Sequence, residues 1–277
     1  MPGGAEVHGI ASDGPAQRRA APAAVPLEAR GLAFGYGRAN VWEGVDLTLH
    51  AGEVALLTGA NGSGKSTLLR CLAGWLSPRS GEILVEGRPF RGERAPRRAI
   101  AFVSDVPAFY DDLTAREHIE FVLRAGRYGE REQARANELL DAFGLMAHLD
   151  RYPSAFSRGM RQKLALVVGL MATPPVLLLD EPTGPLDPPS VEVLGGEVAR
   201  AASEGSAVLT SCHHAFAQMR PNAVWELRGD GLHASGPLSE DGERSGASSE
   251  ARTREYAVES TAAGSGHAGS TTPGASR

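Results

Sequence analysis

At 277 residues and a formal net charge of −5, the chain is long enough for a sizeable hydrophobic core, and it carries no global basic field of the kind that attracts nucleic acid. No nucleic-acid partner is expected. Cys71 and Cys212 lie inside apolar segments without metal-ligand spacing, which argues against a disulfide scaffold and for a reducing, cytoplasmic compartment.

Residues 1–26 mix Pro, Gly and Ala with no sustained apolar run, and they read as a disordered tail rather than a secretory signal. Leu27–Phe34 and Trp42–Leu49 alternate as half-buried antiparallel strands. Glu53–Thr58 is an apolar run suited to a buried strand, and Lys65–Ala73 has helical spacing. Between them Gly59 to Thr67 reads GANGSGKST, a Gly-x4-Gly-Lys-Ser phosphate loop in strand–loop–helix context. Gly59, Gly62 and Gly64 let the backbone N–H groups turn inward around an anion, and the helix N-terminus adds a favourable dipole. Asn61 and Ser63 complete the loop and Thr67 follows it. Lys65 is placed to reach the β- and γ-phosphates of ATP, and the Ser66 hydroxyl to join the Mg²⁺ shell that accompanies a triphosphate.

Gly81–Gly87 and Ala99–Ser104 are further strand candidates, joined by an Arg-rich connection. Thr114-Ala-Arg-Glu117 is a capping box opening a helix toward Arg124, and Glu130–Phe143 and Arg158–Met171 continue the helical periodicity. A helical insertion is expected over about residues 106–172. Val176–Asp180, Ser206–Thr210 and Ala223–Leu227 return as short apolar strands, with a helix between the first two. The apolar stretch Leu164–Leu179 is broken by Thr173-Pro174-Pro175 and reads as helix end, loop and strand rather than a membrane span. Residues 238–277, rich in Gly, Ser and Ala, lack the apolar side chains that would offset their ordering entropy and read as a second disordered tail.

The strand Val176–Asp180 ends in two adjacent carboxylates, Asp180 and Glu181. This places Asp180 to hold the Mg²⁺ shell and Glu181 to face an attacking water. Upstream, Ser157 is an N-cap in Phe156-Ser-Arg-Gly-Met-Arg-Gln-Lys163, whose free N–H groups offer a second phosphate contact.

The phosphate loop, the Ser157-x-Gly159-Met160 segment, Asp180-Glu181-Pro182-Thr183 and the later His213 follow the order and approximate spacing of the nucleotide-binding domain of ABC transporters. The resemblance covers about residues 27–237. It implies an α/β fold: a P-loop NTPase core of ABC ATPase type with an N-terminal antiparallel β layer and a helical subdomain insertion. By the same resemblance Tyr36 looks like the aromatic that stacks on adenine, His213 like the switch histidine at the γ-phosphate, with His214 its neighbour, and Asp187 like the D-loop aspartate. Asp187 is equally a good N-cap before Pro188. Three segments depart from the family pattern. Asp105 stands where a Q-loop Gln or Glu is usual, which shortens its reach toward Mg²⁺; Arg158 and Met160 alter the signature around Ser157 and Gly159; Gly184-Pro185 replaces the usual Ser-Gly of the D-loop.

The segment around Ser157 and the acidic Q-loop position look most like the ATPase subunits of ABC-2-type or haem-exporter-like export systems. The resemblance implies a homodimer, or a heterodimer with a related ATPase chain, in which each phosphate loop is completed by the other chain's signature segment. It also implies a separate transmembrane permease subunit, which places the chain peripherally on the inner face of the cell membrane. Pro107 to Phe121, with Phe109 and Tyr110, would meet that subunit or serve as ordinary core packing. The alternative is a soluble ABC ATPase acting as a mechanical switch, as in iron–sulfur cluster assembly.

Overall fold

The computed structural model describes residues 25–90, 98–212, 215–216 and 218–235. The two expected tails, apart from Val25 and Pro26, lie outside the described residues, as do His213 and His214.

Two sheets organise the chain. Strands β1 (Leu27–Tyr36) and β2 (Ala39–Leu49) pair antiparallel, as their alternation predicts, and β4 (Ser80–Val85) and the two-residue β5 (Arg88–Pro89) extend this sheet in the order β2-β1-β4-β5. The pairing of β1 with β2 shifts register between Ala29 and Leu32, so that Leu27, Ala29, Leu32 and Phe34 all reach the core.

The second sheet contains β3 (Val54–Thr58), β6 (Ile100–Val103), β7 (Val176–Asp180), β8 (Ala207–Ser211), β9 (Ala223–Arg228) and β10 (Gly231–Ser235), in the order β10-β9-β3-β8-β7-β6. Strands β9, β3, β8, β7 and β6 run parallel. All five residues of β7 and all five of β8 are buried, which explains why these segments are continuous rather than alternating apolar runs. β10, not foreseen from the sequence, folds back antiparallel on β9 through Gly229-Asp230.

Among the described residues five α-helices connect the strands. α1 (Lys65–Leu72) follows the phosphate loop and packs on β7. α2 (Ala115–Ala125), α3 (Glu130–Ala142) and α4 (Arg158–Leu170) pack against one another between β6 and β7 in sequence. The capping box of α2 forms as expected: the Thr114 hydroxyl accepts the Glu117 N–H while the Glu117 carboxylate accepts the Thr114 N–H. α5 (Pro188–Ser203) starts at the N-cap Asp187 and packs on β3 and β8. One core cluster joins both sheets to α1, with Trp42, Leu57, Leu68, Leu72, Leu178 and Leu209 in it. Cys71 and Cys212 are buried thiols, and burial pushes the Cys71 thiol up to about 12.

Candidate nucleotide site

The phosphate loop is built from the end of β3 to the start of α1. Gly64 is the helix N-cap in a left-handed conformation (φ 98°), and no side chain caps the first turn. A Cβ there would meet Val41 Cγ1 at 2.6 Å and the Trp42 ring at 2.9 Å, so only glycine fits. The first-turn N–H groups are therefore offered to an anion. Lys65, 8% exposed, arches back over the loop, its Nζ donating to the Gly59 and Ala60 carbonyls at 3.0 and 3.2 Å. Gly59, Asn61, Gly62, Ser63, Gly64, Ser66 and Thr67 belong to this same loop–helix unit.

Asp180, at the buried end of β7, lies directly beside it. Its Oδ1 accepts the Ser66 hydroxyl at 3.0 Å and the Ser211 hydroxyl at 2.7 Å. Its Oδ2 is buried and has no hydrogen-bond partner among the described residues. Burial pushes the Asp180 carboxyl above the usual carboxylate range; the Ser211 and Ser66 hydroxyls draw it back, Asp105 raises it further and Arg70 lowers it. Glu181 follows with φ 44°, so the chain turns sharply off the strand at that residue. Its N–H donates to both the carbonyl and the hydroxyl of Ser211, each at 3.0 Å.

Asp105 sits just after β6. Its Oδ1 accepts the Ser104 hydroxyl at 3.1 Å and lies 3.7 Å from Arg70 Nη2 of α1. The donor set is hard oxygen, namely Ser66, Asp180 and Asp105, which suits Mg²⁺ carried in with a triphosphate. Among the described residues no group of three or more His, Cys, Asp or Glu side chains forms a metal cage. The unpartnered Asp180 Oδ2 beside Ser66 is the feature that fits an incoming cation or its bound water.

The remaining predicted residues fall into two places. Tyr36 ends β1, 59% exposed, edge-on to Phe34 at 5.1 Å; Phe34 in turn lies 5.9 Å from Trp42, whose ring backs Gly64. Ser157 is the exposed N-cap of α4 and accepts the Met160 N–H at 3.2 Å. A Cβ on Gly159 would meet the Pro185 carbonyl at 2.7 Å, so the start of α4 abuts the turn before α5. Asp187 joins that turn to α4: Oδ1 accepts the Ser190 N–H at 3.2 Å and Oδ2 pairs with Lys163 Nζ at 3.0 Å. These two partners, Ser190 first, hold the Asp187 carboxyl below its ordinary value. Ser157, Gly159 and Asp187 thus form a group of their own, with no hydrogen bond or ion pair to the phosphate loop among the described residues. Sequence reasoning missed Ser211, Arg70 and Lys163. Only Ser211 left a local signal, a hydroxyl at the end of an apolar strand.

Residues 42–184 match the family described as ABC transporter, a span that includes the phosphate loop and the Asp180–Glu181 pair. The sulfate/thiosulfate import ATP-binding protein CysA of Synechococcus elongatus is 42% identical over 59% of this chain, which spans only 48% of that relative. The ABC-type transporter ATP-binding protein EcsA of Bacillus subtilis is 32% identical over 77% of this chain and 88% of its own. The cytochrome c biogenesis ATP-binding export protein CcmA of Xanthomonas campestris is 35% identical over 69% and 88% respectively. A solved ATP-binding subunit of an ABC transporter superposes with a TM-score of 0.69 at 30% identity, over 76% of this chain and 90% of that one. With the family match covering more than half of the chain and two relatives above 30% identity over more than two thirds of it, the chain belongs to the ABC transporter family, as its ATP-binding ATPase domain.

Proposed function

We propose that the chain is the energy-coupling subunit of an ABC exporter, hydrolysing Mg-ATP in a dimer bound to separate membrane subunits. The observation that carries the hydrolytic part is the 3.0 Å bond from Ser66 of the phosphate loop to Asp180 of the second motif. In this reading Lys65 and the uncapped N–H groups of α1 hold the β- and γ-phosphates, and Tyr36 stacks on the adenine. Mg²⁺, when bound, neutralises charge on the phosphate oxygens. Ser66 and Asp180, with Asp105, are the residues that would hold it or its water. Glu181 accepts a proton as the water oxygen attacks the γ-phosphorus and the bond to the ADP oxygen breaks. His213, outside the described residues, is assigned to the γ-phosphate, and Ser157, Gly159 and Asp187 to the nucleotide held by the facing chain. That facing chain, identical or related, is needed because the sequence carries one phosphate loop and one Ser157-x-Gly159 segment, and these lie in separate groups.

Export is read from the Ser157 segment and the acidic Asp105 position, which resemble those of export ATPases; the relatives include both the export protein CcmA and the import protein CysA. No helix among the described residues is long and apolar enough to cross a membrane; in this reading a separate membrane subunit provides the pathway. A groove of about 400 Å³ between the segment after Asp105 and α2, lined by Phe109, Tyr110, His118 and Phe121, is the docking place for it. His118 braces that groove: its Nε2 accepts the Tyr110 N–H at 2.9 Å, which puts its proton on Nδ1, 2.8 Å from the Thr114 carbonyl. No observation favours the non-transport switch.

Two experiments test this reading. Glu181→Gln is expected to lower steady-state hydrolysis at least ~100-fold while ATP binding persists and an ATP-bound dimer accumulates on size exclusion; hydrolysis at the wild-type rate overturns the choice of base. Affinity purification from gently solubilised native membranes is expected to recover a polytopic membrane protein, and a wholly soluble set of partners overturns the transporter role.

A further inference from the structure

Ser211 is the last residue of β8 and stands in register with Asp180 on β7. It is fully buried. The sheet ladder alone already satisfies the Glu181 N–H, through the Ser211 carbonyl at 3.0 Å. The hydroxyl therefore adds something the ladder does not require. Its single proton goes to Asp180 Oδ1 at 2.7 Å, and one of its lone pairs receives the Glu181 N–H at 3.0 Å. Among side chains of this size only a hydroxyl donates and accepts strongly at once, so one atom touches both members of the carboxylate pair.

The consequence reaches the phosphate loop. Asp180 Oδ1 is shared between the Ser211 and Ser66 hydroxyls, which fixes the carboxylate from two sides and leaves Oδ2 as the edge without a partner among the described residues. Because the Ser66 proton is directed at Oδ1, the Ser66 lone pairs remain available to a cation. Without Ser211 the carboxylate keeps a single hydroxyl anchor, and the Glu181 N–H, on a residue held at φ 44°, keeps only its ladder bond.

We propose that Ser211 is a positioning residue for Mg-ATP hydrolysis: one buried hydroxyl fixes the Asp180 carboxylate, and through it Ser66, relative to the Glu181 backbone. The inference rests on the ATPase reading above. Ser211 acts through its neighbours, so its loss affects the metal-dependent steps rather than the phosphate-loop contacts.

The test compares full-length wild type, Ser211→Ala and Ser211→Thr. ATP binding is measured by equilibrium dialysis in EDTA and in Mg²⁺, and kcat and KM are measured in parallel. In EDTA the affinity of Ser211→Ala is expected within about twofold of wild type, because the loop is untouched. The gain in affinity on adding Mg²⁺ is expected to shrink at least about fivefold, and kcat to fall at least about tenfold with a smaller change in KM, the size expected for losing a hydrogen bond to a buried charge. Ser211→Thr, which retains the hydroxyl, is expected to recover most of both. Ser211→Ala matching wild type in Mg²⁺ response and kcat overturns the proposal, as does a loss that Ser211→Thr shares in full. Should Ser211→Ala fail to fold, Ser211→Cys replaces it, keeping the volume while weakening both bonds, with the same two effects expected at smaller size. A wild-type chain that neither binds nor hydrolyses Mg-ATP sinks the ATPase reading itself. A wild type that binds without hydrolysing leaves the Mg²⁺ arm to decide the role of Ser211.

Discussion

Asp180 shows at the scale of one residue how the site is assembled at a cost to the fold. Its carboxylate is fully buried, and its pKa is raised chiefly by that burial. For an acid whose folded pKa lies above its ordinary value of 3.8, the protonated form is favoured by folding. Stability attached to the group is therefore greatest below the ordinary pKa and is lost as pH rises through the raised one. Above the ordinary carboxylate range the buried Asp180 therefore opposes folding of the nucleotide-free chain, and the hydroxyls of Ser211 and Ser66 offset only part of this. Asp180→Asn keeps an acceptor for both hydroxyls and removes the charge. It is expected to raise the melting temperature of the nucleotide-free protein at pH 7, while Mg²⁺-dependent hydrolysis is lost. The thermal advantage shrinks as the pH falls toward the ordinary carboxylate value of 3.8, where folding no longer penalises the group. Melting curves of both proteins between about pH 4 and pH 8 check the sign; a variant less stable than wild type at pH 7 contradicts it.

At the scale of elements, the three-helix layer is tied to the sheet core by a charged junction that no motif announces. Glu197 of α5 accepts from Arg135 of α3 and, at 3.0 Å, from Arg200 one turn further along α5. The Glu197 side chain is 15% exposed, and Arg135 Nε and Arg200 Nη2 are buried without hydrogen-bond partners among the described residues. Removing the shared carboxylate leaves Arg135 with Glu138 at 2.7 Å and Arg200 with Glu204 at 2.6 Å, and takes away the one negative charge held between the two guanidinium groups. Glu197→Ala is expected to cost roughly 1–3 kcal/mol in urea unfolding, and an unchanged midpoint argues that solvent already screens the junction. Contacts of this kind explain what the sequence leaves unread. β3, β7 and β8 are visible in the chain because a strand buried on both faces is a continuous apolar run, and the phosphate loop because its glycines meet a local backbone demand. The Thr114 capping box is visible for the same reason, since both of its partners lie within one turn. Lys163 on Asp187 and Arg70 on Asp105 bridge 24 and 35 positions, and nothing local marks them; Ser211 on Asp180 bridges 31, and its one local sign is a hydroxyl at the end of an apolar strand. β10 escapes notice because its five residues form a strand only by pairing with β9.

For the whole molecule, the proposed role requires ATP chemistry to reach a membrane subunit across a surface of this chain, and no helix among the described residues is long and apolar enough to cross a membrane. The groove beside α2 connects the two physically. One wall is the segment that follows Asp105, and the other is α2, which packs on α4, whose N-cap is Ser157. In the proposed dimer, a displacement in the groove has short routes to Asp105 and to the Ser157 segment at the start of α4. Tyr110 and Phe121, 58% and 47% exposed, meet edge to face at 5.6 Å and form its apolar rim. Phe121→Asp places a charge on that rim without touching Lys65, Ser66, Asp180 or Ser211. Because the ring, on α2, is half exposed but packs on Tyr110, stability is expected to fall by about 1–2 kcal/mol without loss of the fold, and ATP hydrolysis by the isolated chain to stay within about twofold of wild type. Co-purification with the membrane subunit is expected to fall at least about tenfold, the effect of burying an unpaired carboxylate in an apolar contact. Undiminished recovery of the membrane subunit by Phe121→Asp would move the docking site elsewhere on the surface, whereas parallel loss of folding and binding would return Phe121 to the core of the helical layer.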